Sequence, residues 1–362
     1  MIAEICFSAD WLERKRRELR GVDPALLERA LHAFALLGHL AESDLKFIFK
    51  GGTSLLLHVP VIRRLSIDID ILCAAPAEEL DRILAEVATV PPFVRYEEDE
   101  RGSRGLPERR HFKFFYTPLV HGNPAPYVFL DVVEEPYVPH EVIVKPITPN
   151  ILEIRREIPV TIPTIESLLA DKLTAFAPHT VGVPVERGDG KTVETMQIMK
   201  QLFDVGELLS LAEDLEMVRR VYARVFELEN GYRGRDLRVA DALNDTLDMS
   251  MRYCLAGFRG APKHADVQLL EYGRKKLEGH LVNHRFDVNA AKTAAAKAGL
   301  LARMLLTETP HFTLSEAQRV PAAKILRPLT ISGEFQFLNK LKAINPDAFY
   351  YWHRTSLLTK VI

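Results

Sequence analysis

Residues 46–72, KFIFKGGTSLLLHVPVIRRLSIDIDIL, contain the pattern that decides the fold. The apolar segment KFIFK predicts a short buried strand, and the paired glycines Gly51 and Gly52 predict a turn into the helix that follows. Apolar and polar residues alternate from Arg64 to Cys73, which predicts a second strand. The segment is therefore expected to form a strand, a turn with a helix, and another strand.

The second predicted strand carries two carboxylates on one face. Residues two apart in a strand project to the same side, so Ser66, Asp68 and Asp70 lie opposite the isoleucines. Neighbouring carboxylates in an apolar strand repel each other, and a bound cation relieves that repulsion. Oxygen ligands suit Mg²⁺, an ion that also binds phosphate oxygens. A strand with one solvent-facing side shows the same alternation, so both interpretations stay open.

The turn Gly51-Gly52-Thr53-Ser54 has the features of a triphosphate site. Glycines let the backbone approach a ligand closely, and the N-terminus of the following helix presents free N–H groups and a positive dipole. Taken alone, such a turn is more often a plain connection between a strand and a helix. The nearby pair of aspartates is what favours a functional turn.

Three more polar residues interrupt apolar segments. Asp131, in the strand-like segment PYVFLDVVEE, would complete a three-carboxylate site for two metal ions if its strand lay beside the paired aspartates. A solvent-exposed strand end, or Glu134 in the same role, is the alternative. Lys172, in the helical segment ESLLADKLTAFA, would neutralise phosphate charge, and Asp204 is an acid within an apolar helix. Spacing alone favours ordinary surface positions for Lys172 and Asp204.

The composition is that of an ordinary globular protein. The chain has 362 residues, of which 47% are hydrophobic and 27% charged, and this length predicts two or three packed lobes. Only 3 cysteines occur, without a CxxC pattern, which argues against a disulfide framework and a thiolate zinc site. The sequence shows neither a signal peptide nor an apolar segment long enough to span a bilayer. We therefore expect a cytoplasmic protein without a membrane partner.

Strand-like segments precede helical ones along the chain. Residues 23–43 have helical spacing, several strand-like segments follow, and the pattern from Ile165 onward is helical almost throughout. This order predicts an α+β fold, in which a lobe with a mixed sheet is followed by a helical lobe. We place the domains at residues 1–162 and 163–362.

Basic residues form clusters in the C-terminal half. A basic face that binds nucleic acid would use such clusters, although solvated helix faces are their commoner explanation. The clusters are Arg233, Arg235 and Arg238, then Arg274, Lys275 and Lys276, then Lys292 and Lys297.

The segments FKGGTSL and RLSIDIDI together resemble the AbiEii/AbiGii toxin family of nucleotidyltransferases, within the polymerase-β-like superfamily. The later segments DKLTAFAPHT and KQLFDV are also similar to motifs of that family. The resemblance implies that Asp68 and Asp70 bind Mg²⁺ or Mn²⁺, that Lys172 contacts the triphosphate, and that Asp204 supports the site from the helical lobe. It further implies that the nucleotide pocket is lined by Gly51, Gly52, Thr53, Ser54, Arg64 and Ser66.

The resemblance also implies a function. Such a protein is the toxin of a toxin–antitoxin or abortive-infection system, and it transfers a nucleotide from a nucleoside triphosphate to the 3′ end of tRNA. A cognate antitoxin is the expected partner. No motif of the family fixes Asp131, which from its place in its strand would act as a third metal ligand or as a base. Three alternatives stay open from the residues: a nucleotidyltransferase for a small molecule such as an antibiotic, a phosphotransferase, and a non-catalytic nucleotide-binding protein.

Overall fold

The computed structural model describes residues 1–20, 22–99, 109–120, 125–135, 138–185, 194–308, 310 and 312–358. Its internal contacts divide the chain into two compact units. The first unit comprises Met1–Thr164 and Gly279–His284, and the second comprises Ile165–Glu278 and Arg285–Ile362. The chain therefore leaves the first unit, returns to it for one short segment, and leaves it again.

The first unit contains all the strands of the described residues. Its helices are α1 (Ala9–Glu18), α2 (Pro24–Glu42), α3 (Gly51–Ser54) and α4 (Ala77–Ala88), with 3₁₀ turns at Glu4–Phe7 and Leu55–Leu57. Its strands are β1 (Ile48–Lys50), β2 (Ile69–Leu72), β3 (Phe93–Glu98), β4 (Arg109–Tyr116), β5 (Tyr127–Val133), β6 (Val142–Pro146) and β7 (Pro159–Pro163).

Five of these strands form a mixed sheet in the order β1-β2-β5-β4-β3, and β6 pairs with β7 in a separate two-stranded sheet. The β2–β5 pair is parallel, whereas β1–β2, β5–β4 and β4–β3 are antiparallel. This mixed sheet, together with the helices of both units, confirms the predicted α+β fold class.

One face of the sheet forms the core of the first unit. The side chains of Val128, Leu130 and Val132 in β5 are inaccessible to solvent on this face, and α2 and α4 pack against the sheet. The intervening residues of β5, among them Asp131, project from the opposite face and are half-buried. The alternation in β5 thus places polar groups on the face that is not covered by this core.

The strand predicted from Arg64 to Cys73 is shorter in the structure, where β2 begins at Ile69. The residues before it are extended, but their backbone groups pair with the segment that returns from the C-terminal half. The N–H of Leu65 donates to the carbonyl of His280 at 2.8 Å, and the N–H of Val282 donates to the carbonyl of Arg63 at 2.9 Å. Only Ile69–Leu72 therefore joins the main sheet.

The second unit is helical throughout its described residues, as the sequence predicts. Its helices are α5 (Ile165–Ala175), α6 (Thr195–Leu208), α7 (Leu215–Tyr232), α8 (Val239–Leu255), α9 (Ala265–Leu277), α10 (Val288–Leu306), α11 (Leu314–Gln318), α12 (Ala323–Leu326), α13 (Leu341–Ile344) and α14 (Pro346–Ser356), with a 3₁₀ segment at Gly333–Lys340. A further 3₁₀ turn, Glu278–His280, begins in this unit and ends in the returning segment. Among the described residues, no helix combines the length and apolarity needed to cross a membrane.

A glycine sets the close approach of α9 to α6. A Cβ built on Gly273 would lie 2.7 Å from the backbone nitrogen of Met196, which is too close for any side chain. We predict that Gly273→Ala lowers the free energy of unfolding by about 1–3 kcal/mol, because the two helices must separate to accept the methyl group. Urea denaturation followed by circular dichroism measures this change.

The matched control is Gly231→Ala in α7, where an added Cβ has no neighbour within 4 Å. That variant is expected to be unchanged, or more stable by up to about 1 kcal/mol, because alanine is the better helix former. Equal destabilisation by the two substitutions would contradict the assignment of Gly273 as a packing contact.

Candidate active site

Four ionisable residues form a row across four adjacent strands. Lys50 of β1 is the register partner of Asp70 in β2, and Asp70 is the register partner of Asp131 in β5. Asp131 is in turn the register partner of His111 in β4. Register partners project from the same face of a sheet, so these four side chains are neighbours on the face opposite the core.

Asp131 is held by this neighbour on β4. Its Oδ1 atom lies 2.7 Å from Nδ1 of His111, within hydrogen-bonding distance. The His111 side chain is 19% exposed and the Asp131 side chain 33% exposed, so the pair is partly shielded from solvent. Asp131 is recognisable in the sequence as a candidate, but nothing in the sequence indicates His111, whose position beside Asp131 depends on the register of β4 with β5.

The turn after β1 lies directly against Asp70. Gly51 has a φ of +81°, a conformation that strains any residue with a Cβ, and a Cβ built there would lie 2.8 Å from Cγ of Asp70. The carboxylate of Asp70 therefore occupies the space that a side chain at position 51 would need. Both the dihedral angle and the contact require glycine at this position.

The second glycine of the turn adjoins two of the predicted pocket residues. A Cβ built on Gly52 would lie 2.9 Å from Nη2 of Arg64 and 3.1 Å from Oγ of Ser66. The Arg64 side chain is buried, and its Nη1 donates to the carbonyl of Leu65 at 3.2 Å. The structure thus brings a guanidinium and a hydroxyl next to the backbone of the turn.

The hydroxyls of Thr53 and Ser54 point into the protein. Thr53 Oγ1 donates to the carbonyl oxygen of Asp68 at 2.6 Å, and Ser54 Oγ donates to the carbonyl oxygen of Gly51 at 2.9 Å. Both residues are fully buried. Their side chains therefore fix the turn to the segment that carries Asp68, and the predicted phosphate contact of these two residues would have to come from their backbone.

The carboxylates are not arranged as a complete metal cage. Within the described part of the chain, no group of three or more His, Cys, Asp or Glu side chains could hold a metal ion as it stands. One oxygen of Asp131 is engaged by His111, whereas Asp68 and Asp70 lie two residues apart at the start of β2. The donor atoms available here are carboxylate oxygens, which are the ligands that Mg²⁺ and Mn²⁺ take in proteins.

The two candidates in the second unit are buried, which contradicts the surface positions that spacing favoured. Lys172 of α5 is 6% exposed and Asp204 of α6 is 2% exposed. Nζ of Lys172 lies 3.7 Å from Oδ2 of the adjacent Asp171. A buried charge is costly unless it is compensated, so neither residue is an ordinary solvated position on its helix.

The first basic cluster mostly binds backbone carbonyls of the second unit. Arg233 Nη2 donates to the carbonyl of Gly182 at 2.9 Å, and Arg235 Nη1 donates to the carbonyls of His179 and Thr180. Arg238 is exposed and pairs with Asp241 in the first turn of α8. Arg233 and Arg235 therefore stabilise the loop that follows α5.

The other clusters are also partly structural. Arg274 is buried, with hydrogen bonds to Glu271, Glu278 and the carbonyl of Phe286. Lys292 is buried with Nζ 2.7 Å from the carbonyl of Ala256. A solvated helix face is thus the wrong interpretation for these two residues.

Two lysines of the second cluster remain exposed, namely Lys275 and Lys276 near the end of α9. Nζ of Lys276 lies 4.5 Å from the ring of the exposed Tyr272. Lys297 of the third cluster, by contrast, is engaged in its own unit, because its Nζ donates to the carbonyl of Gly206 at 2.7 Å. The exposed basic surface of α9 is therefore smaller than the sequence suggested.

The fold is shared with a solved nucleotidyltransferase toxin. MenT4 from Mycobacterium tuberculosis H37Rv is similar with a TM-score of 0.50 and 16% sequence identity, over 80% of this chain and 89% of that chain. JHP933 from Helicobacter pylori is similar with a TM-score of 0.42 and 17% identity, over 77% of this chain and 92% of that chain. No curated protein matches the chain.

The chain belongs to the class of the nucleotidyltransferases, and its sequence also identifies its family. Residues 35–272 match the model described as "Nucleotidyl transferase AbiEii toxin, Type IV TA system". Because this match covers well over half of the chain, the protein belongs to the AbiEii family, as its motifs indicated. It is therefore a nucleotidyltransferase toxin that uses a nucleoside triphosphate and has an antitoxin as its partner.

The contact between Gly51 and Asp70 can be tested by adding one methyl group. We predict that Gly51→Ala lowers the rate of nucleotide transfer at least about a hundredfold, because a displacement of Asp70 by about 1 Å misplaces the reacting groups. The matched control is Gly257→Ala, where φ is +84° and an added Cβ has no neighbour within 4 Å.

Both substitutions impose the same backbone strain, but only the first adds a contact with a carboxylate. A steady-state transfer assay with thermal unfolding as a companion measurement separates the two effects. Equal losses of activity in both variants would contradict a specific role for the Gly51–Asp70 contact.

Proposed function

We propose that this toxin is a metal-dependent enzyme that transfers a nucleotide to the 3′ hydroxyl of a tRNA. The observation that carries the proposal is the register of Asp70 with Asp131 on parallel strands, with the backbone of Gly51 against Asp70. Two carboxylates beside a glycine turn give one face of the sheet both cation ligands and a place for phosphate. A domain that only binds nucleotides has no need of paired carboxylates, which argues against the non-catalytic alternative.

Asp68, Asp70 and Asp131 are the residues that would hold the divalent ions, Mg²⁺ or Mn²⁺. When bound, such ions neutralise phosphate charge and make the attacking hydroxyl a better nucleophile. The hydroxyl of Thr53 fixes the backbone at Asp68, and Gly51 leaves the space that the carboxylate of Asp70 occupies, so the turn and the start of β2 are positioned before substrate binds. This preorganisation is what phosphate transfer requires of a protein.

The residues of the turn bind the triphosphate in this proposal. Backbone N–H groups of Gly52, Thr53 and Ser54 face the phosphates, with Arg64 and Ser66 beside them. The acceptor oxygen forms a bond to the α-phosphorus, the bond from that phosphorus to the bridging oxygen breaks, and pyrophosphate leaves in line. The hydroxyl proton leaves to water.

Lys172 and Asp204 keep in this proposal the roles that the family resemblance implies. Lys172 neutralises charge on the triphosphate as the phosphorus is attacked, and Asp204 supports the site. Both side chains are buried, so neither residue is an ordinary solvated position on its helix.

An RNA acceptor, which the family resemblance implies, is supported by the exposed residues at the end of α9. Tyr272, Lys275 and Lys276 place an aromatic ring and two ammonium groups on one exposed segment. RNA is bound through its phosphates by cations and through unpaired bases by aromatic rings. Arg274 takes no part in this surface, since it is buried.

The decisive experiment places the radioactive label on different phosphates. Purified protein is incubated with total tRNA and each nucleoside triphosphate in turn, labelled on either the α- or the γ-phosphate. Nucleotide transfer labels the RNA only from the α-phosphate, whereas phosphotransfer labels it only from the γ-phosphate. No label on RNA, with label on a small molecule, would instead favour an antibiotic-type enzyme.

The same assay tests the carboxylates. We predict that Asp68→Ala and Asp70→Ala each lower the transfer rate by about a thousandfold or more, since each removes a cation ligand and with it several kcal/mol of transition-state stabilisation. Glu78→Ala, which removes an exposed carboxylate in the first turn of α4, is the control and keeps full activity. A residual rate above about a tenth of wild type in both variants would refute the assignment.

The acceptor surface has its own test. We predict that RNA binding weakens at least tenfold between about 50 and 200 mM salt, because multiple phosphate contacts release counterions. Lys275→Glu with Lys276→Glu should weaken RNA binding and leave nucleotide binding unchanged. Arg238→Glu, at an exposed position on another segment, is the matched control. If fluorescence anisotropy shows that the affinity for tRNA changes neither with salt nor in the α9 variants, the acceptor binds elsewhere on the protein.

A further inference from the structure

The proposed mechanism uses neither Lys50 nor His111 of the four-residue row, and His111 has a side-chain hydrogen bond to a candidate metal ligand. Its Nδ1 lies 2.7 Å from Oδ1 of Asp131, on the face of the sheet that carries Asp70. Its backbone is fixed as well, because the carbonyl of His111 accepts a hydrogen bond of 2.7 Å from the N–H of Asp99. A histidine in the interior of β4 is thus held on both sides, with its ring directed at a candidate ligand.

Asp131 needs such a partner because of its position in the sheet. Parallel strands lie about 4.8 Å apart, so Asp70 and Asp131 hold two like charges close together. Repulsion turns such carboxylates away from each other unless a cation lies between them or a donor restrains one of them. An ionised carboxylate only accepts hydrogen bonds, so the N–H at Nδ1 of His111 is the donor.

We propose that His111 is the positioning residue of Asp131. By donating to Oδ1 it fixes the plane of the carboxylate, and Asp131 and Asp70 are the residues that would hold a divalent cation here. Metal-binding carboxylates are themselves hydrogen-bonded by residues of an outer layer, and loss of such a partner typically weakens metal binding or activity by about 10- to 100-fold. The inference rests on the proposed function, because it concerns the same carboxylates.

The competing interpretation is that His111 and Asp131 form a cross-strand pair that stabilises the sheet and nothing else. The two interpretations predict different effects when the N–H at the position of Nδ1 is lost. A stabilising pair affects only the unfolding of the protein. A positioning residue also affects the affinity for a cation, and a side chain that restores the N–H at the same place restores that affinity.

Two polar substitutions separate these interpretations. The amide nitrogen of asparagine in His111→Asn occupies nearly the place of Nδ1, whereas that of glutamine in His111→Gln reaches the place of Nε2. The matched control is Lys113→Ala, on the same face of β4 as His111, because Nζ of Lys113 pairs with Asp99 at 3.3 Å and not with Asp131. Asp131→Asn removes the ligand itself.

The first measurement is the binding of Mn²⁺ to the full chain, followed by the electron paramagnetic resonance signal of the free ion. We expect His111→Gln to raise the Kd for Mn²⁺ by about 10- to 100-fold, and His111→Asn and Lys113→Ala to stay near wild type. The second measurement is nucleotide transfer, in which excess Mn²⁺ should restore part of the rate of His111→Gln but none of the rate of Asp131→Asn.

The outcomes distinguish this inference from the proposed function. Unchanged Mn²⁺ affinity in His111→Gln, with or without a lower unfolding midpoint, would reduce His111 to a sheet-stabilising residue and overturn the inference. Wild-type protein that does not bind Mn²⁺ would overturn it too. If wild type transfers no nucleotide to RNA but its Mn²⁺ affinity still depends on the N–H at position 111, the proposed acceptor chemistry is wrong and the role of His111 stands.

Discussion

The parallel pairing of β2 with β5 sets two carboxylates side by side, and several features of the first unit hold them there despite their repulsion. The opposite face of β5 is buried without solvent access, so the register cannot slip by one residue without exposing the core. Gly51 gives Asp70 the space beside the turn, and the hydroxyl of Thr53 holds the backbone of Asp68. The sheet thus supplies the stability that keeps an unfavourable pair of charges in place.

Local patterns in the sequence were sufficient to predict the helices and strands. They were also sufficient to identify site residues that lie near one another in the chain. Alternation identified β5 with the face of Asp131, and the strand–turn–strand pattern identified Gly51 and Asp70. The row from Lys50 to His111 could not be predicted, because it depends on the register of strands that are distant in sequence. The first residues of the second predicted strand were misassigned for the same reason, since a remote segment takes their hydrogen bonds.

Helical spacing has a different limit, because it shows which residues share a face but not what that face meets. Lys172 and Asp204 looked like surface positions and are buried. Solvated helix faces were the commoner explanation of the basic clusters, but Arg274 lies inside an ion-pair network and Arg233 binds a loop carbonyl. The long side chain of an arginine can form hydrogen bonds and ion pairs inside its own unit, and a count of charges along the sequence does not show this.

The return of Gly279–His284 to the first unit has a consequence for how the toxin matures on the ribosome. The extended backbone before Asp68 acquires its partners at His280 and Val282 only after more than two hundred further residues have been made. Domains generally fold as units during synthesis, but here the unit that holds the carboxylates is completed late. A chain that ends before His280, by truncation or by a premature stop, lacks this support, so synthesis beyond this segment becomes a condition for a complete first unit.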